Sequence, residues 1–278
     1  MIKNKIQKYI DCYKFGGITE LINRFLGKLK IKYKLKTQIE RKKDYFLNLI
    51  MKISDCKVME GPYKNTKLQI KSHWNNYDFS SKLLGTYERH IQDKIVDLKN
   101  KNNLQVIINI GAGEGYHIVS LIKNNFFNKG LAFEIDKFGQ KLINENLKLN
   151  NIDDSIKIFG EGNLDNLIKN TEKNENSKTL FLIDIEGEEF QLLNSEFFEF
   201  FKESIFIIEL HEFAEKNKKK ISNFFDVIQK NFNYNYIENY QKNPFKIKEL
   251  DQISDDVRML AISENRPLKM NWIFLEPK

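Results

Sequence analysis

From residue 105 onward the chain alternates two hydrophobic patterns. Short, near-continuous apolar runs occupy 105–110, 130–134, 156–159, 179–184 and 204–210. Between them apolar residues recur at helical spacing over 115–124, 138–150, 190–201 and 214–232, with a shorter stretch at 164–170. Such runs suit strands buried on both faces, and the intervening amphipathic helices supply the covering layers. After Phe232 the pattern changes. Two last strands are predicted over 234–238 and 271–275, flanking an irregular stretch that contains Pro244 and Pro267. The expected fold is α/β, with a doubly wound, mostly parallel sheet.

Upstream of this body, Ile18, Leu21, Ile22, Phe25 and Leu26 share one helical face, a lysine-rich stretch runs to Lys43, and a second amphipathic helix is predicted over 44–51. Gly61-Pro62-Tyr63 signals a turn, and the alternation Lys67-Leu68-Gln69-Ile70-Lys71 suggests a short strand or hairpin before a helix over 82–98. These features divide the chain into a helical extension, 1–57, and a main domain, 58–278.

Charge sharpens that division. The chain carries a net charge of +7, yet residues 1–57 hold 15 Lys or Arg against 5 Asp or Glu, so the body is acidic. Two readings of the extension follow: a helical cap packed on the body with a solvated basic face, or an arm that makes peripheral contact with an anionic membrane or partner. Cys12 and Cys56 lack the spacing of a disulfide framework or a zinc site, no apolar stretch is long enough to span a bilayer, and the start of the chain has no signal-peptide core. A reducing, cytoplasmic setting is expected. Aromatic and basic residues do not interleave as a single-strand nucleic-acid platform requires, so no nucleic-acid partner is expected.

The first apolar run ends in Gly111, Gly113 and Gly115 at alternate positions. Glycine lets the backbone turn sharply beside a ligand, and a helix beginning there offers unpaired N–H groups. A dinucleotide fingerprint needs a sixth-position glycine, where this chain has Tyr116, so the spacing favours S-adenosylmethionine. The second run ends in Phe133-Glu134-Ile135-Asp136. Glu134 is the candidate acceptor for both ribose hydroxyls, and Asp136 the alternative, as a helix cap. Asp184 and His211 end the fourth and fifth runs, at the carboxyl edge where such sheets bind ligands. Either could serve as a general base; hydrogen bonding to loop backbone is the alternative for Asp184 and Glu186, and substrate orientation or helix capping for His211. A metal site from Asp184, Glu186 and Glu209 is disfavoured by strand alternation, so no metal is expected. His73, His90 and His117 suggest packing or exposure.

Several segments resemble class I S-adenosylmethionine-dependent methyltransferases, and within them the FkbM family. They are Lys82-Leu83-Leu84-Gly85-Thr86-Tyr87-Glu88, Asn109-Ile110-Gly111-Ala112-Gly113-Glu114-Gly115-Tyr116, Phe133-Glu134, Leu182-Ile183-Asp184-Ile185-Glu186-Gly187-Glu188-Glu189 and, more weakly, Ile208-Glu209-Leu210-His211. Many members carry Asp where this chain has Asn109. The resemblance covers roughly 58–278 and implies a Rossmann-like sheet of seven strands with the last antiparallel. It implies cofactor contacts by Gly111, Ala112, Gly113, Gly115, Tyr116, Glu134 and Ile135, an adenine site at Gly160, Glu161 and Gly162, and a methionine end near Tyr87, Glu88 and Asp184. The activity so implied is O-methylation of a carbohydrate or glycan-precursor hydroxyl. Rival classes are a nicotinamide-dependent oxidoreductase and a non-enzymatic membrane or nucleic-acid binding module built on the basic arm.

Overall fold

The computed structural model describes residues 2–69, 78–152, 154–239, 243–264, 266 and 268–278. Two helices, α1 (Ile2–Lys28) and α2 (Gln38–Ser54), precede α3 (Phe79–Leu83) and α4 (Arg89–Asn102). Strands and helices then alternate: β1 (Val106–Ile110), α5 (Tyr116–Lys123), β2 (Lys129–Phe133), α6 (Lys137–Asn150), β3 (Ile156–Phe159), α7 (Leu164–Asn170) and β4 (Thr179–Ile183). They are followed by α8 (Glu189–Leu192), α9 (Ser195–Phe200), β5 (Ile205–Leu210), α10 (Lys218–Asn231), β6 (Phe232–Ile237), α11 (Asp255–Ala261) and β7 (Asn271–Pro277). The strands form one seven-stranded sheet in the order β3-β2-β1-β4-β5-β7-β6, in which β7 alone runs antiparallel to its neighbours.

Strand alternation divides the core into two layers. Val106, Ile108, Ile110, Phe181, Ile183, Phe206 and Ile208 face a cluster rich in phenylalanine, with Phe197, Phe198 and Phe201 beneath α9. Ile107, Leu180, Leu182, Ile205, Ile207 and Trp272 face the other cluster, with Leu83, Ile91 and Ile143. A polar residue placed in phase with the second set therefore emerges on one face at the carboxyl edge. Asn109, Asp184, Glu209 and His211 share that phase.

The helix expected over 82–98 is two helices, because Gly85 (φ 74°) and Glu88 (φ 44°) take left-handed conformations between them. The helix expected over 190–201 also breaks: the Asn194 side chain accepts from the N–H groups of Glu196 and Phe197 and so starts α9 afresh. Asn217 caps α10 and delays its start from 214 to 218. The alternating 67–71 segment contributes one isolated bridge, Lys57 to Lys67, while Ile70, Lys71, His73, Trp74 and Pro267 lie outside the described residues.

The extension divides differently from the expected boundary at 57. A capping box between Thr37 and Glu40 starts α2 six residues earlier than predicted. Phe46 and Ile50 of α2 are buried in the same cluster as Val58 and Ile91, so α2 is part of the body's core. In α1, by contrast, Ile18, Ile22 and Phe25 are exposed. No described helix is long and apolar enough to cross a membrane.

Candidate active site

β1 runs directly into the glycine turn. Gly111 (φ 78°) abuts the end of β4 so closely that a Cβ there would lie 1.7 Å from the Asp184 carbonyl oxygen. Gly113 (φ 55°) is different: a Cβ there would have nothing within 4 Å. Its N–H donates to Oε2 of Glu134 at 2.7 Å, while Oε1 accepts from the Asp136 N–H at 2.8 Å. Glu134 thus ties the turn to the end of β2 and has lone pairs left on both oxygens for a ligand's hydroxyls. Asp136 caps α6 by accepting from the Gly139 N–H at 3.3 Å.

A cavity of 580 Å³ opens beside this turn. Gly111, Gly113, Glu134 and Ile135 line it, as do Gly160, Glu161 and Gly162 after β3, with Ile110 and Phe133 as apolar floor. Three expected contacts are absent from its wall. Ala112 packs in the core and Gly115 caps α5 in a left-handed conformation. The Tyr116 ring is buried against Tyr63 and Tyr87, and its hydroxyl accepts from Gln92 and donates to the Lys82 carbonyl. These residues shape the turn from behind. The aliphatic wall supplied by Ile185 and Leu192 had no signal in the sequence, since it depends on how α8 folds back.

A second cavity, 410 Å³, shares Gly111, Asp184 and Glu186 with the first. Tyr87, Glu88 and His211 line it, together with Lys82, His117 and Arg266, for which the sequence suggested no place in a site. Glu88 is buried. Its carboxylate binds Arg266 and His117 Nε2 (2.7 Å), and His117 Nδ1 lies 2.8 Å from the Tyr63 hydroxyl. Burial alone would raise the Glu88 pKa, but Arg266 and His117 outweigh it and hold the group down to about 2. Arg266 also binds Glu209 and Glu264. The second cation, Lys82, is buried between Asp78 (2.9 Å) and Glu114. These partners lie far apart in sequence, and only the fold reveals them.

Where the two cavities meet, His211 Nε2 lies 3.6 Å from Asp184 Oδ1, 3.6 Å from Glu186 Oε2 and 3.5 Å from Glu209 Oε2. Nδ1 is 3.3 Å from Glu189 but not aligned for a hydrogen bond, and Nδ1 and Asp184 Oδ1 are both buried without a hydrogen-bond partner among the described residues. Burial, reinforced by the charge of Glu88, lifts Asp184 to about 6. Burial and then Asp184 push Glu209 well above the carboxylate range. For His211 burial works downward, but the carboxylates of Glu189, Asp184 and Glu186 override it and raise the imidazole. Strand alternation was expected to separate the carboxylates, but Ile183 pairs with Ile208, so Asp184 and Glu209 emerge side by side on one face. Asp184, Glu186 and His211 also offer two oxygens and a nitrogen within 4.8 Å of one another, a set that fits a divalent cation.

No protein-family model matches the chain, and no curated protein sequence matches it. Among solved structures, it is similar to the O-methyltransferase TomG from Streptomyces achromogenes, involved in tomaymycin synthesis and solved in complex with SAM. That likeness has a TM-score of 0.50 and 9% identity over 85% of this chain and 99% of that one. An O-methyltransferase from Bacillus cereus in complex with SAH matches with a TM-score of 0.45, at 10% identity over 92% of this chain and 97% of that one. A SAM-dependent O-methyltransferase from Thermotoga maritima matches with a TM-score of 0.40, at 12% identity over 67% and 65%. At these identities the TomG likeness establishes the fold alone, and the other two add no weight: the chain has a seven-stranded, mostly parallel Rossmann-like sheet of the kind found in TomG.

Proposed function

We propose that the protein is an S-adenosylmethionine-dependent O-methyltransferase whose acceptor is a hydroxyl of a carbohydrate or glycan precursor. One observation carries this reading: two cavities meet at Gly111, Asp184 and Glu186, one lined by a glycine turn and a strand-end carboxylate, the other by groups that take up a proton. When bound, the cofactor supplies a sulfonium methyl group open to in-line attack, so the protein must chiefly align the reactants. Glu134 accepts from the ribose hydroxyls, and Gly160, Glu161 and Gly162 border the adenine end. Tyr87 and Glu88 border the opposite end. The acceptor enters the second cavity, where either Asp184 or His211 receives the hydroxyl proton and Glu186 stands at the mouth.

The resemblance of the 182–189 segment to the FkbM family supports a carbohydrate acceptor. So does the charge of the second cavity, since its two cations, Lys82 and Arg266, are already bound by carboxylates. Among the described residues neither cation is aimed at a phosphate, which agrees with an uncharged hydroxyl compound entering this cavity.

Thermal shift and labelled methyl transfer test the reading. S-adenosylhomocysteine at ~100-fold its dissociation constant should stabilise the protein by about 2.7 kcal/mol. NAD should not, and stabilisation by NAD instead would replace this reading with an oxidoreductase. Labelled S-adenosylmethionine with neutral glycans and nucleotide-linked sugars should label a sugar hydroxyl; label found only in protein or nucleic acid excludes the carbohydrate acceptor.

A further inference from the structure

The second half of α1 presents Ile18, Ile22, Phe25 and, just past its end, Leu29 at positions i, i+4, i+7 and i+11, one stripe of the helix. In a packed helix that stripe is the buried one. Here it faces outward: the four side chains are 66%, 39%, 61% and 55% exposed. The following segment, Leu29-Lys30-Ile31-Lys32-Tyr33-Lys34-Leu35-Lys36, alternates apolar and basic residues, and Ile31 and Tyr33 are exposed as well. Asn23 holds this segment against the helix, accepting from the Leu35 N–H at 2.7 Å and donating to its carbonyl at 2.8 Å. Residues 18–36 carry six Lys or Arg and a single acid, Glu20, which lies on the side of the helix away from the stripe; Lys34 and Lys36 pair with Glu40 and Asp44 of α2, so the lysines between them and the helix carry the contact to an anionic surface. The arm is therefore apolar and cationic on one unit, and α2 anchors it to the body through Phe46 and Ile50.

We propose that residues 18–36 dock the protein on an anionic lipid surface, the stripe entering the headgroup–acyl boundary and the lysines pairing with lipid headgroups. Charge decides among the occupants. A second copy would bring two like-charged arms together, which opposes self-association. A nucleic acid would satisfy the lysines but leave the stripe in water, where an exposed apolar face of this kind is unfavourable. An anionic bilayer satisfies both halves at once. This inference is independent of the methyltransferase reading.

The test is co-sedimentation of the full chain with vesicles of phosphatidylcholine, with and without about a third phosphatidylglycerol. Binding should be at least about tenfold tighter to the anionic vesicles, and raising salt from ~0.1 M to ~0.5 M should weaken it. Ile22→Glu with Phe25→Glu should weaken binding at least about tenfold, and Lys30→Gln with Lys32→Gln should weaken binding to the anionic vesicles about tenfold while leaving binding to neutral vesicles unchanged. Both variants should melt at the wild-type temperature, because the substituted side chains lie outside the core. Equal affinity for neutral and anionic vesicles overturns the proposal, as does wild-type binding by the Ile22/Phe25 variant. So does a homodimer, detected by light scattering, that the Ile22/Phe25 variant dissociates. Duplex DNA that competes with vesicles and binds that variant as well as wild type would also overturn it, by assigning the arm to nucleic acid.

Discussion

Gly111 and Gly113 share a left-handed backbone but have different surroundings, and this separates folding from binding at single residues. A methyl group at 111 would collide with the backbone at the end of β4, so Gly111→Ala should destabilise the protein by about 2–4 kcal/mol. A methyl group at 113 meets open cavity, so Gly113→Ala should cost only the backbone strain, about 1 kcal/mol. Its methyl would occupy ligand space, and titration calorimetry should show S-adenosylhomocysteine binding at least about tenfold weaker. Glu134→Gln should combine both effects. The amide keeps one oxygen but turns a donor toward the N–H of Gly113 or Asp136, costing about 1.5–3 kcal/mol in binding. Unchanged affinity in that variant would remove Glu134 from the ribose site.

At the scale of elements, the legible parts were those that hydrophobic period alone determines. All seven strands and the glycine turn fall within about two residues of where the pattern puts them, and for the five parallel strands the reason is that a buried run has little alternative arrangement. What escaped was local polar chemistry. Asn194 and Asn217 reset helix starts by capping, and the left-handed Gly85 and Glu88 separate α3 from α4, although the apolar period runs through all three places. The outer face of α1 and the inner face of α2 also look alike in sequence, since both are amphipathic and basic; only packing distinguishes them. Ile50→Ala should therefore cost about 2–5 kcal/mol in urea unfolding, while Ile22→Ala should stay within about 0.5 kcal/mol of wild type. Equal effects would mean that the two helices are not divided between body and arm.

At the scale of the whole molecule, one buried ion network joins segments that the sequence keeps apart. Glu88 at the start of α4 binds His117 on α5 and Arg266 before β7, and Arg266 reaches Glu209 on β5 and Glu264. None of this was visible in the chain, because the individual residues look like ordinary surface charges and the pairing spans up to 178 positions. The network makes stability depend on pH in a defined direction. An unperturbed Glu titrates near 4.5 and Glu88 in the fold at about 2, so its contribution is complete above about 4.5 and disappears as pH falls through about 2. A shift of that size corresponds to roughly 3 kcal/mol. Glu88→Gln should therefore be less stable than wild type at neutral pH by about that amount and should converge with it near pH 2. Arg266→Met removes the main charge that holds Glu88 down, so the acid loss of stability should begin at higher pH, and the buried Glu88 loses its main cation while Glu209 and the half-buried Glu264 lose a partner, costing about 3–5 kcal/mol at neutral pH. Urea unfolding of both variants from pH 7 downward measures the two effects together. Parallel curves for Glu88→Gln and wild type across that range would show that Arg266 and His117 do not depress the carboxylate, and that the network is held by packing rather than by charge.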